Sequence, residues 1–200
     1  MKKIMMFLAA ALMVLVMGCA SAGSQAQSAK SSDGAGKPAA PAAAQKKTAV
    51  VYFSATGNTR RLAETAARAL KADLIEIKPA QPYTEADLDY TSSGSRVSKE
   101  HAVGNARPAV AEQADLSGCQ SVVVAYPIWW GEAPGVVYTF VEKANLSGKN
   151  IGAICTSASS SIGQSGENVA KAAGGRYVGG QRFRPDAPEA EIRGFFSGKL

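Results

Sequence analysis

Histidine is nearly absent from this chain: His101 is the one imidazole among 200 residues, beside three cysteines and two tryptophans. A lone histidine cannot build a multi-histidine metal site. It lies in an irregular stretch with no nucleophile and base arranged around it, so it reads as a solvated side chain. No pair of Asp or Glu brackets a cleft in the way glycoside hydrolysis requires. Neither G-x-x-x-x-G-K-[ST] nor G-x-G-x-x-G occurs, which disfavours a nucleoside triphosphate with magnesium and a pyrophosphate laid across a glycine turn. The uncharged apolar run from Ile4 to Met17 has 14 residues, too few for a comfortable membrane-spanning helix, which takes about 20.

An excess of one charge is also missing from most of the chain. The whole is +6, but residues 1 to 47 hold six Lys/Arg and one acid, which leaves 16 basic and 15 acidic residues from Thr48 to Leu200. That stretch is near neutral, and the basic isoelectric point gives no reason to invoke nucleic acid. Its 153 residues suit one domain with a sizeable core.

Met1-Lys2-Lys3 followed by the apolar run reads as a secretion signal over residues 1–18. Its end, Leu15-Val16-Met17-Gly18-Cys19, resembles the lipobox of bacterial lipoproteins. The resemblance implies that Cys19 carries lipid as the first mature residue and anchors the chain to a membrane on the extracytoplasmic side of the bacterial cell envelope. The alternative is an ordinary cleaved signal that contains a cysteine. Residues 20 to 47 are almost entirely Ala, Ser, Gly, Gln, Pro and Lys and cannot bury a core, so residues 19–47 are expected to be a flexible tether.

From Thr48 onward apolar runs alternate with helical patterns. Strands are expected at Ala49 to Phe53, Asp73 to Ile77, Ser121 to Tyr126, Ile151 to Thr156 and, weakly, Tyr177 to Phe183. The central runs are apolar on both faces, as in a covered parallel sheet. Helices are expected at Thr59 to Leu70, near Pro108 to Ala114, and at Gly135 to Lys143, Gly163 to Ala173 and Glu189 to Phe196. Regular β-α alternation argues a doubly wound α/β domain over residues 48–200. Pro79 to Arg107 lacks clear periodicity and reads as a long excursion. Cys119 and Cys155 fall at opposite ends of neighbouring strands, about seven residues apart at about 3.3 Å each, too far for a disulfide.

Between the first strand and first helix lies Ser54-Ala55-Thr56-Gly57-Asn58-Thr59. Small residues let the backbone curl so that N–H groups converge, and hydroxyls and an amide add neutral donors. The following helix points its unpaired N–H groups at the same spot, so a phosphate can be held without lysine. The other reading is a Gly-Asn turn capped by serine and threonine. After the third strand comes Pro127-Ile128-Trp129-Trp130-Gly131, two indoles in a loop, where they want an apolar partner. One of them is expected to pack inward. After the fourth strand comes the Ser-rich run Ser157 to Gly163, either a set of donors or a solvated linker.

Tyr52 to Thr59, Tyr126 to Gly131 and Thr156 to Gly163, in that order and spacing, resemble the flavodoxin-like family that has a W-W-G second loop. The resemblance implies a five-stranded doubly wound parallel sheet of order 2-1-3-4-5, with FMN outside the carboxyl ends of the strands at the switch between the first and third. It implies that Ser54, Thr56, Gly57, Asn58 and Thr59 hold the FMN phosphate. Pro127, Trp129, Trp130 and Gly131 would then meet the ring, with Trp130 favoured as the stacking partner and Gly131 beside flavin N5. Ser157, Ser159 and Gly163 would add contacts, although Ala158-Ser159 departs from the usual T-S-G-S. The implied function is electron transfer or quinone-type reduction with donor and acceptor unnamed. Glu132 is the one acid in the three loops, which implies a less strongly reducing protein than acidic flavodoxins. A lipoprotein of the same fold acting as a binding module without redox activity is the alternative.

Overall fold

A computed structural model describes residues 47–200; the expected signal, Cys19 and nearly all of the expected tether lie outside them. The described chain runs β1 (Thr48–Tyr52), α1 (Asn58–Leu70), β2 (Asp73–Glu76), α2 (Arg96–Val103), β3 (Ser121–Pro127), α3 (Gly135–Lys143), β4 (Asn150–Thr156), α4 (Ser165–Ala172), β5 (Arg176–Arg182) and α5 (Glu189–Phe196). All four strand pairings are parallel and the order is β2-β1-β3-β4-β5, as expected.

Alternation along the strands divides the core between the two faces. Val51, Val122, Val124 and Tyr126 turn to one face with Val136, Val137, Phe140 and Val169 of α3 and α4. Val50, Val123, Ala125 and Ile154 turn to the other with α1 and α5. In α1 the buried residues Leu62, Ala63, Ala66 and Ala67 recur at helical spacing while Arg60, Arg61 and Glu64 face outward. Cys119, before β3, and Cys155, near the end of β4, are both buried and unbridged. Burial pushes the Cys155 thiol up to about 12, so it packs as a small apolar group.

One expected helix moves. Pro108 to Ala114 is extended: Ala80 N–H donates to the Ala109 carbonyl at 2.8 Å and Ala111 N–H to the Lys78 carbonyl at 2.8 Å, bridging Pro79 to Val110. The second helix lies inside the excursion, at Arg96–Val103. Ser95 caps it, accepting from the Ser98 N–H, and Gly104 ends it at φ 74°. Val97 is its one buried residue, so it carries no apolar stripe for periodicity to detect.

The stretch around Ala106 runs across the start of α3. A Cβ on Gly135 would collide with the Ala106 carbonyl and lie 2.9 Å from Pro108 Cδ. Alanine in place of helical glycine ordinarily gains up to about 1 kcal/mol. Here backbone rather than a flexible side chain blocks it, so Gly135→Ala should lower stability by about 1 to 3 kcal/mol. A melting temperature equal to or above the parent's would show that this segment is not seated on α3.

Candidate functional site

The loops leaving β1 and β3 diverge at the carboxyl edge of the sheet and open a cleft of about 400 Å³, within the range of small-ligand sites. Its floor and one side come from Ala55, Thr56, Asn58 and Thr59, and the opposite side from Pro127, Ile128 and Trp129. Thr156, Ser157 and Ala158 close it after β4, Pro185 after β5, and Leu88 and Tyr90 reach in from the excursion. None of these side chains is charged.

The loop after β1 closes on itself. Ser54 Oγ accepts from the Gly57 N–H at 3.1 Å, and Gly57 takes φ 87° as the residue ahead of α1, a backbone conformation natural to glycine. No side chain caps α1 and its first turn holds no acid, so its leading N–H groups remain free for a ligand. Asn58 Oδ1 accepts from Arg61 Nη2 at 2.8 Å. Thr59 is buried, and its hydroxyl shares a 2.8 Å hydrogen bond with that of Thr156, tying the loop to the end of β4. An uncapped helix start beneath neutral hydroxyls and amides fits an anion, and the flat walls above it fit an aromatic ring.

The two tryptophans divide. Trp129 is 9% exposed and meets Phe53, Tyr83 and Tyr90 edge to face, with centroids 5.6, 5.3 and 6.3 Å away. It is the inward indole, yet it also walls the cleft. Trp130 is 41% exposed and stacks on His101 at 4.5 Å, with Tyr90 at 4.9 Å on its other contact. The ring-contact role expected of Trp130 is therefore not where the geometry puts it: Trp130 does not line the cleft, and Trp129 does. Trp130 and Gly131 form a tight turn, with Trp129 and Glu132 exchanging N–H to carbonyl bonds of 2.9 and 3.0 Å and φ values of 48° and 84° at the two central residues. Two positive φ values suit a type I′ turn, in which glycine is at ease and tryptophan is strained.

Of the expected contacts, Thr56, Asn58, Thr59, Pro127, Trp129 and Ser157 border the cleft. Ser54 and Gly57 shape its loop from behind. Gly131, Ser159 and Gly163 are exposed and are not among the residues that line it; Gly131 serves the turn and Gly163, at φ 52°, precedes α4. Ser157 lends its hydroxyl to the Ser160 carbonyl, which closes that loop rather than presenting donors. Tyr90 was not anticipated. Burial pushes its phenol up to about 12, so it is a neutral aromatic wall although 49% exposed. The one available signal was a pair of tyrosines, Tyr83 and Tyr90, in an otherwise polar excursion.

An open parallel sheet of this order, with a neutral cleft at its switch point, defines the flavodoxin-like class of α/β protein. The flavodoxin family model matches residues 47–185, and the chain belongs to that family. It is similar to a candidate flavoprotein from Bacteroides eggerthii, at 38% identity and a TM-score of 0.72 over 76% of this chain and 97% of that one. A second from Bacteroides uniformis is 34% identical, with a TM-score of 0.71 over 76% and 97%. A flavoprotein from Lactobacillus acidophilus, solved in complex with FMN, shares the fold at 22% identity and a TM-score of 0.56 over 68% and 93%. No curated protein matches the chain.

Trp129→Ala should destabilise the ligand-free protein by about 3 to 5 kcal/mol, the cost of emptying a buried aromatic site. Trp130→Ala should change it by about 1 kcal/mol or less, because lost stacking is offset by a residue that strains less at positive φ. Urea unfolding of both variants checks the division, and equal losses would contradict it.

Proposed function

We propose that the cleft binds FMN without a covalent bond and that the domain is a redox protein, transferring electrons or reducing a quinone-type acceptor. The observation that carries the reading is the uncapped start of α1 opening into a cleft whose other walls are Trp129 and Tyr90. Family membership supports it. Bound there, FMN would supply one- and two-electron chemistry that no side chain here provides. The leading N–H groups of α1 with Thr56 and Asn58 hold the phosphate. Trp129 and Tyr90 exclude water from the ring, and Thr59 and Thr156 fix the loop between them. With no acid lining the cleft, these residues oppose a developing negative charge on the cofactor less than an acidic site would.

The reading includes an envelope location. Cys19 bears lipid, residues 19–47 are the tether, and residues 48–200 work outside the cytoplasm, with donor and acceptor still to be identified.

The direct test is titration of the purified apoprotein with FMN. A yellow complex with quenched flavin fluorescence is expected, whereas a protein that stays colourless and refuses FMN would favour the binding-module alternative. Thr56→Val should weaken FMN by about 1.5 to 3 kcal/mol through loss of one hydroxyl to the phosphate. Riboflavin, which has no phosphate, should bind variant and parent alike. Undiminished FMN affinity in the variant would remove Thr56 from the site. For location, Cys19→Ser should release the protein from the membrane fraction or leave it unprocessed; identical fractionation of both forms would refute the anchor.

A further inference from the structure

Behind Trp129 lies a second cavity, of about 480 Å³. Trp129 is its common wall with the cleft; Trp130 and His101 form another side, and Ala133 and Pro134 the start of α3. One acid in it, Glu132, is held by neutral donors. Glu132 Oε2 accepts from the Tyr138 hydroxyl at 2.6 Å and Oε1 from Asn168 Nδ2 at 2.7 Å. Among the described residues it joins no ion pair.

The other charges facing the cavity are already matched. Glu100 pairs with Arg96 at 2.7 Å and accepts from the Tyr83 hydroxyl at 2.7 Å. Arg107 pairs with Glu142 at 2.9 Å and lies over the Tyr138 ring. The Tyr138 phenol is raised by burial first and then by its bond to Glu132, which keeps it a donor. Glu132 is partly exposed, and its two donors hold the carboxylate in one orientation at the cavity wall. Two neutral donors orient the carboxylate but do not neutralise it, and each oxygen keeps accepting capacity.

An oriented carboxylate among aromatic faces suits a cation with N–H donors and an apolar body. We propose that this cavity is a binding site for a small organic ammonium ion, its nitrogen on Glu132 and its body against the indoles of Trp129 and Trp130. The volume limits the ligand to small-molecule size. The site does not depend on what fills the cleft on the far side of Trp129.

The test is calorimetric titration of the full-length protein with 2-phenylethylammonium, with and without saturating FMN. Saturable binding is expected, unaffected by FMN. The neutral isostere 2-phenylethanol and the anion 3-phenylpropanoate should bind at least roughly tenfold more weakly, the scale of one charge-assisted hydrogen bond. Glu132→Gln, which keeps shape and can still accept from Tyr138, should lose the preference for the cation. No saturable binding, equal binding of alcohol and ammonium, or displacement by FMN would each overturn the proposal. Should Glu132→Gln fail to fold, the comparison of the three probes on the parent protein decides alone. Failure of FMN to bind would count against the redox reading and leave this one standing.

Discussion

The edge-to-face packing of Trp129 holds together the parts that make a site. Its indole meets Phe53 from the end of β1 and Tyr83 and Tyr90 from the excursion. Two segments distant in sequence are thus fixed against one side chain. Each contact adds on the order of 1 kcal/mol beyond the area buried. The larger effect is geometric: with the indole in place, the loops after β1 and β3 cannot close on each other, and the crevice that strand order opens at the switch point stays open. Remove the indole and one wall is lost from both cavities.

The adjacent turn shows what this arrangement costs. Trp130 has φ 48°, a conformation costing an L residue roughly 1 to 2 kcal/mol. In the two-residue connection between Trp129 and Glu132, positive φ at both central positions lets the pair exchange hydrogen bonds without splaying. Stacking on His101 and contact with Tyr90 offset part of the strain. The strained residue therefore couples α2 to the turn, and His101, exposed as expected, stacks one face on the indole.

What could be read from the residues follows from how each element buries surface. The central strands β1, β3 and β4 bury both faces and appear as apolar runs, whereas the edge strands β2 and β5 stay partly exposed; α1 and α3 bury wide stripes, and their bounds were legible to within a residue. Helix α2 buries Val97 alone, so its evidence was confined to a serine cap and a terminal glycine. Pro108 to Ala114 looked helical by composition, yet its backbone is claimed by Lys78 and Ala80, partners that no local pattern reveals. The same holds in the site. Thr56, Asn58 and Thr59 follow from a local loop, whereas Tyr90 arrives from a remote segment and Gly131, Ser159 and Gly163 fall outside because loop direction is set by tertiary packing.

The two cavities differ in charge, and Trp129 is what keeps them apart. The cleft has no ionised side chain, so an anion there meets only N–H dipoles and hydroxyls, whose field is short-ranged and directional. The cavity behind it contains a carboxylate with no counterion among the described residues. Were the two spaces continuous, that carboxylate would lower the affinity of the cleft for any phosphate through like-charge repulsion. An indole between them supplies low-dielectric bulk, while the hairpin turn carries Glu132 to the far side. The strained turn at Trp130 and Gly131 thus reverses the chain within two residues and delivers the acid away from the anion-binding loop.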